Sequence, residues 1–111
     1  MAVVNQYKFV GIDNDTSNGE LNPFGTGNPL VSETYLIKSI IVKSAGTPTP
    51  TVTNDGIVVI QSAALVANQS KELLTQPLIV EGGNTLTIKA GSTDSFDFAV
   101  SYLNIKKEVT T

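Results

Sequence analysis

The sequence predicts an all-β fold: a single antiparallel β-sandwich, jelly-roll-like, with a long loop near its N-terminus. Three observations carry this. Apolar residues alternate with polar ones at the period of two that a strand imposes, as in Thr85-Leu86-Thr87-Ile88-Lys89-Ala90. Turn-forming residues punctuate these runs about every ten residues, the spacing of a sandwich or barrel. No segment carries three turns of a 3.6-residue apolar stripe; the nearest, Ser62 to Asn68, is too short and runs into Gln69-Ser70-Lys71. The 111 residues suit one domain, 1–111, which at this size buries roughly 65% of its unfolded surface without staples.

Taken in order, Tyr7 to Ile12 reads as a first short strand. A loop, 13–30, follows, built of Asn, Gly, Pro, Thr and Ser with Leu21, Phe24 and Leu30 as its large apolar residues. A structureless loop of that length in a compact domain is functional or unordered. Tyr35 to Val42 is apolar at most positions on both faces, Lys38 and Ser39 excepted, as in a strand covered by the core on one side and a neighbour on the other. Ser44 to Pro50 is stiff and extended, and its prolines suit an edge or a loop. Thr51 to Thr53 is a short strand, and Asn54-Asp55-Gly56 tolerates positive φ ahead of the β-branched run Ile57-Val58-Val59-Ile60.

Ser70 to Leu74 and Leu78 to Val80 are further short strands. Glu81-Gly82-Gly83-Asn84 then forms a tight, hairpin-like connection into the strand that puts Leu86, Ile88 and Ala90 on one face. After the turn at Ala90 to Asp94, Phe96, Phe98, Val100 and Tyr102 share a face. Asn104 to Val109 forms a last short strand, and 105–111 a C-terminal arm. The expected core is Ile40, Val42, Val58, Ile60, Leu86, Ile88, Phe96, Phe98 and Val100, with Tyr35 and Tyr102 in it or at its rim.

Composition bounds the function. Cysteine and histidine are absent and all seven cationic residues are lysine, which removes thiolate chemistry, the commonest general base and the bidentate phosphate clamp. The formal charge is −3, and an arginine-free acidic chain is a poor partner for nucleic acid. These counts argue against an enzyme and against a cofactor. The N-terminal residues show neither a basic segment nor an apolar one, and no apolar run approaches the ~18 residues of a membrane span, so the expectation is a protein assembled in the cytoplasm.

The motifs are weak. Asp13 to Glu20 spaces oxygen ligands like a calcium loop, but its glycine falls one place late and Phe24 stands where a closing glutamate belongs. Gly25-Thr26-Gly27-Asn28-Pro29 precedes no helix and has no lysine, so it is a flexible connection and not a phosphate loop. Asp94, Asp97 and Lys106-Lys107-Glu108 read as solvated faces. Without tryptophan and with three tyrosines, a sugar platform has no obvious site.

The succession Tyr35 to Val42, Pro50-Thr51-Val52-Thr53, Leu65 to Leu74, Pro77-Leu78-Ile79-Val80, Gly83 to Ala90 and Phe98 to Tyr102 resembles small β-sandwich virion proteins of tailed phages, most closely the capsid decoration, or cement, proteins of short-tailed bacteriophages. The resemblance implies a structural protein of the outer capsid surface that staples neighbouring copies of the major capsid protein, often as a homodimer, with no catalytic residue and no cofactor. Similar strand orders in phage tail and fibre modules imply the alternative, an accessory module there, carbohydrate-binding in one form. The resemblance leaves loop 13–30 and the two termini uncovered, so contacts with the shell are expected at Leu21, Pro23, Phe24 and Leu30, with Tyr7, Lys106 and Lys107 from the arms. Phe24, between Pro23 and Gly25, is either an exposed anchor or a ring that folds back to cap its own sandwich.

Overall fold

The computed structural model describes residues 2–25 and 29–108, with the backbone alone for 2–5, 14, 107 and 108. Among these described residues eight strands make two antiparallel sheets: β1 (Ala2–Asp15), β2 (Glu33–Ser44), β3 (Thr51–Asn54), β4 (Ile57–Gln61), β5 (Lys71–Glu72), β6 (Leu78–Glu81), β7 (Leu86–Lys89) and β8 (Phe96–Glu108). The larger sheet runs β1-β8-β2-β5, with β6 also paired to β2, and the smaller runs β4-β3-β7. The chain is therefore all-β and packs as a sandwich. Its sheets of five and three strands do not by themselves spell a jelly roll.

The long strands come from β-propensity plus pairing partners. β8 alternates without a break, so Phe96, Phe98, Val100, Tyr102 and Asn104 are all buried on one face. On β2 the phase changes. Tyr35 and Ile37 point inward, a bulge falls between Ile37 and Ser39, and Ile40 and Val42 then point inward in their turn. The bulge resolves the two-faced look of Tyr35 to Val42. Its unpaired groups are met by Glu72, whose carboxylate accepts the Ile40 N–H at 2.7 Å and the Ser39 hydroxyl, while Leu73 N–H donates to the Ile40 carbonyl at 2.8 Å.

Asp55 and Gly56, at φ 52° and 76°, make a two-residue turn between Asn54 and Ile57, and β3 and β4 form the hairpin that the Asn-Asp-Gly signal predicts. The Glu81 to Asn84 connection is not a hairpin. It carries the chain from β6 in one sheet to β7 in the other, because β6 pairs with β2 and β7 with β3. Pro48 and Pro50 accept hydrogen bonds from Leu65 and Ser62 through their carbonyls, so the proline segment lies along 62–68 at the sandwich edge.

The core joins Val52, Leu86 and Ile88 of the small sheet to Ile37, Ile40, Val42, Phe96, Phe98 and Val100 of the large one. Val58 is a correction: it is 57% exposed because a register shift in the β3–β4 pairing sets it beside Thr53, on the face opposite Val52, while Ile60, beside Val52 on the edge strand, is only half-buried. Leu65, Leu73, Val80 and Tyr35 occupy the space instead.

The two ends of the chain also differ from expectation. Asp13 to Asp15 belong to β1 and Ile105 to Glu108 to β8, so the arm begins inside a strand, and 109–111 lie outside the described residues. β1 and β8 pair from Ala2↔Glu108 to Asp15↔Phe96, with an irregularity after Ile12. This ribbon lengthens the molecule to 52 Å against 21 and 20 Å across.

Candidate functional site

The described residues of loop 13–30 follow local rules that bring most of its apolar residues home. Asp15 accepts from Ser17 through both the backbone N–H and the hydroxyl, and Ser17 Oγ accepts the Gly19 N–H. Asn18, at φ 53°, accepts the Gly91 N–H through Oδ1 at 2.9 Å. Leu21 exchanges two backbone hydrogen bonds with Ile88, at 2.9 and 2.8 Å, along the free side of β7. Asn22-Pro23-Phe24-Gly25 is then a β-turn in which Asn22 Oδ1 accepts the Phe24 N–H at 3.1 Å and its carbonyl accepts the Gly25 N–H. Thr26, Gly27 and Asn28, the centre of the glycine-rich connection, lie outside the described residues.

That turn delivers the Phe24 ring to Tyr35 and Tyr102. The three centroids stand 4.7, 4.8 and 4.7 Å apart, with Phe24 edge-on to both tyrosines. Phe24 is half-buried and packs on the core; it caps its own sandwich. Leu21 is half-buried as well and Pro23 is buried. Three of the expected contact residues thus face inward, because satisfying the loop's backbone and burying its rings serve the same fold.

Leu30 behaves differently. Glu33 N–H donates to the Leu30 carbonyl at 2.8 Å, and the Glu33 carboxylate accepts the Leu30 N–H at 3.0 Å, closing a tight turn over 30–33. Gly83 N–H holds the Pro29 carbonyl at 3.1 Å, and Gly82 lies so close beneath that an added Cβ would stand 2.5 Å from the carbonyl oxygens of Leu30 and Val31. The turn is fixed from below, yet Leu30 is 50% and Val31 89% exposed. Val31 is thus a β-branched apolar residue left uncovered at the tip of a braced turn.

Beneath the turn lies a buried polar pair. Asn104 Nδ2 donates to the other Glu33 oxygen at 2.9 Å, while Asn104 Oδ1 is buried without a partner. Burial pushes the Glu33 carboxyl up, but hydrogen bonds from Asn104 and Leu30, with Lys106 and Lys8 nearby, outweigh it and hold the group below its ordinary value. Burial, then the Glu33 charge, pushes Tyr35 up to about 12 and Tyr102 in the same direction. The pair positions β2, β8 and the turn. Its chemistry is structural.

The outer face of the large sheet carries the second exposed feature. Direct partners place Tyr7, Leu103, Leu36 and Ile79 in one row across β1, β8, β2 and β6, with Phe9 beside it. Tyr7 is 80% and Phe9 70% exposed. Lys106 is exposed near this end, and the Lys107 side chain lies outside the described residues. Phe9, Val31 and the Glu33–Asn104 pair were not among the expected site residues; the unusual Leu-Val-Ser-Glu turn was the signal that could have marked Val31. Among the described residues no three acidic side chains group so as to hold a metal ion. Comparison with protein-family models finds no match, and comparison with curated proteins finds none either.

Proposed function

We propose that the chain is a virion structural protein that binds the outside of an assembled phage capsid and staples neighbouring major capsid subunits. The observation that carries the reading is the braced apolar turn. A rigid two-sheet frame holds Leu30 and Val31 still and leaves them uncovered, as a docking element requires. The strand-and-turn pattern from Tyr35 to Tyr102 supports the same reading, as does a surface without histidine, cysteine or arginine.

The mechanism is mass action. A protein that binds only the assembled shell stabilises that state over free subunits, and many copies multiply a modest gain per site. Leu30, Val31, Tyr7 and Lys106 are the exposed contact residues this reading retains; Leu21, Pro23 and Phe24 serve the fold from inside. Co-sedimentation with assembled heads of short-tailed phages, against free capsid protein as control, tests it. Binding to heads alone, lost in Leu30→Asp/Val31→Asp with the melting temperature unchanged, is the expected result. Equal binding by that variant, or no binding to heads at any salt concentration, overturns the reading. The exposed rings of Tyr7 and Phe9 favour a second one, a tail or fibre module that stacks sugar rings, and adhesion to polysaccharide without capsid binding would select it.

A further inference from the structure

Asn18-Gly19 is the one Asn–Gly dipeptide in the sequence. Such a pair carries its own chemistry. The glycine nitrogen lies a few bonds from the asparagine Cγ, and with no Cβ on the glycine it can reach that carbon and close a five-membered ring. Around Asn18 the fold gathers the groups that this closure needs. Gly19 N–H donates to Ser17 Oγ at 3.2 Å, and the Ser17 hydroxyl donates in turn to Asp15 Oδ1 at 2.8 Å. The second carboxylate oxygen, Asp15 Oδ2, is buried without a hydrogen-bond partner among the described residues. The amide carbonyl is engaged as well: Asn18 Oδ1 accepts the Gly91 N–H, at 2.9 Å, from the turn that leads into β8. Ser17 is exposed and Asn18 and Gly19 are half-buried, so water reaches the group.

From this we infer that Asn18 is a self-modification site, where the folded chain promotes its own deamidation to aspartate and isoaspartate. The Gly19 nitrogen attacks Asn18 Cγ while its proton passes to Ser17 Oγ and the Ser17 proton to Asp15. The electron pair of the Cγ–Oδ1 double bond moves onto Oδ1, where the Gly91 N–H already points, as an oxyanion donor does. Collapse of that intermediate breaks the Cγ–Nδ2 bond. The relayed proton leaves with Nδ2 as ammonia, and the ring remains as a succinimide. Water then opens the ring at either carbonyl, so that one amide and one water give one carboxylic acid and one ammonia. Ser17 touches the reacting nitrogen, and Asp15 acts through it as a positioning residue. Either product adds a negative charge to a stretch that already holds Asp13, Asp15 and Glu20. The isoaspartyl form also lengthens the main chain by one carbon, which breaks the tether between loop 13–30 and Gly91.

The reaction needs no capsid and no reactant but water, so it stands or falls apart from the proposed function. The purified chain is held at neutral pH, folded or unfolded in urea, and peptide mapping with fragmentation that separates isoaspartate from aspartate follows Asn18, with Asn54 and Asn84 as internal controls. Conversion at Asn18 should run at least ~10-fold faster in the folded chain than in urea, since a positioned base alone contributes ~100-fold or more. That comparison uses the unaltered protein and does not depend on the folding of a variant. Ser17→Ala should bring the folded rate down to the urea rate, and Ser17→Thr, which keeps a hydroxyl, should restore it. Asp15→Asn should slow conversion and Asp15→Glu recover part of it, with circular dichroism confirming that each variant is folded. A folded rate at or below the urea rate would overturn the inference. So would a folded Ser17→Ala variant that converts as fast as the parent, or Asn54 and Asn84 converting as fast as Asn18.

Discussion

Replacing Phe24 with alanine separates a ring that serves the fold from one that serves a partner. The ring is half-buried, and roughly 100 Å² removed from water at ~25 cal/mol per Å² is worth about 2.5 kcal/mol. Its edge contacts with Tyr35 and Tyr102, at 4.7 and 4.8 Å, add on the order of 0.5 kcal/mol each at the low end of the range for such pairs. Phe24→Ala should therefore cost about 3–4 kcal/mol, a large part of the stability of a domain this size. Phe24→Leu keeps most of the apolar area and forfeits the ring geometry, so it should cost ~1 kcal/mol. Urea unfolding at fixed protein concentration reads both, with an unchanged slope as the sign that the native and denatured states are otherwise alike. An alanine variant within 0.5 kcal/mol of the parent would refute the packing argument. If the same variant also lost co-sedimentation with capsids, Phe24 would return to the contact surface.

Glu33 sets an acid limit. Its folded pKa lies below the unfolded one, so its contribution is complete above pH ~5 and is lost as pH falls through the folded value; Glu33→Gln should flatten that part of a stability–pH profile. Tyr35 acts in the opposite direction: with a folded pKa of about 12 its contribution is complete below pH ~10 and declines between there and 12, and Tyr35→Phe should shrink the decline in alkaline denaturation, leaving the share that Tyr102 carries. Gly82→Ala should cost at least ~2 kcal/mol by thermal melting, because its Cβ meets backbone oxygens that cannot turn aside. Phe98→Ala should cost ~3–5 kcal/mol and Val58→Ala less than ~0.5 kcal/mol, since one is 3% and the other 57% exposed; similar losses in urea unfolding would mean that β4 is covered.

Alternation by itself determined the all-β class, the inward faces of β7 and β8, and the Asp55-Gly56 hairpin, because each rests on a period or a local φ preference that neighbouring residues enforce. Tertiary structure decided the rest. The bulge on β2 reverses the strand's phase only because Glu72, 32 residues from Ile40 in sequence, meets the freed N–H. Val58 looks like core by composition and is surface by position, since the register shift in the β3–β4 pairing turns it to the face opposite Val52. Glu81 to Asn84 carries the chemistry of a hairpin and makes a corner between sheets, because β6 and β7 find better partners in β2 and β3. The candidate site divides the same way. Tyr7 and Leu30 could be named from residue type. Their exposure, and the burial of Leu21, Pro23 and Phe24, depended on which side of β7 and which pair of tyrosines the loop could reach. Local sequence sets the conformations a segment can adopt; whether its apolar residues are covered is a property of what the rest of the chain places against them.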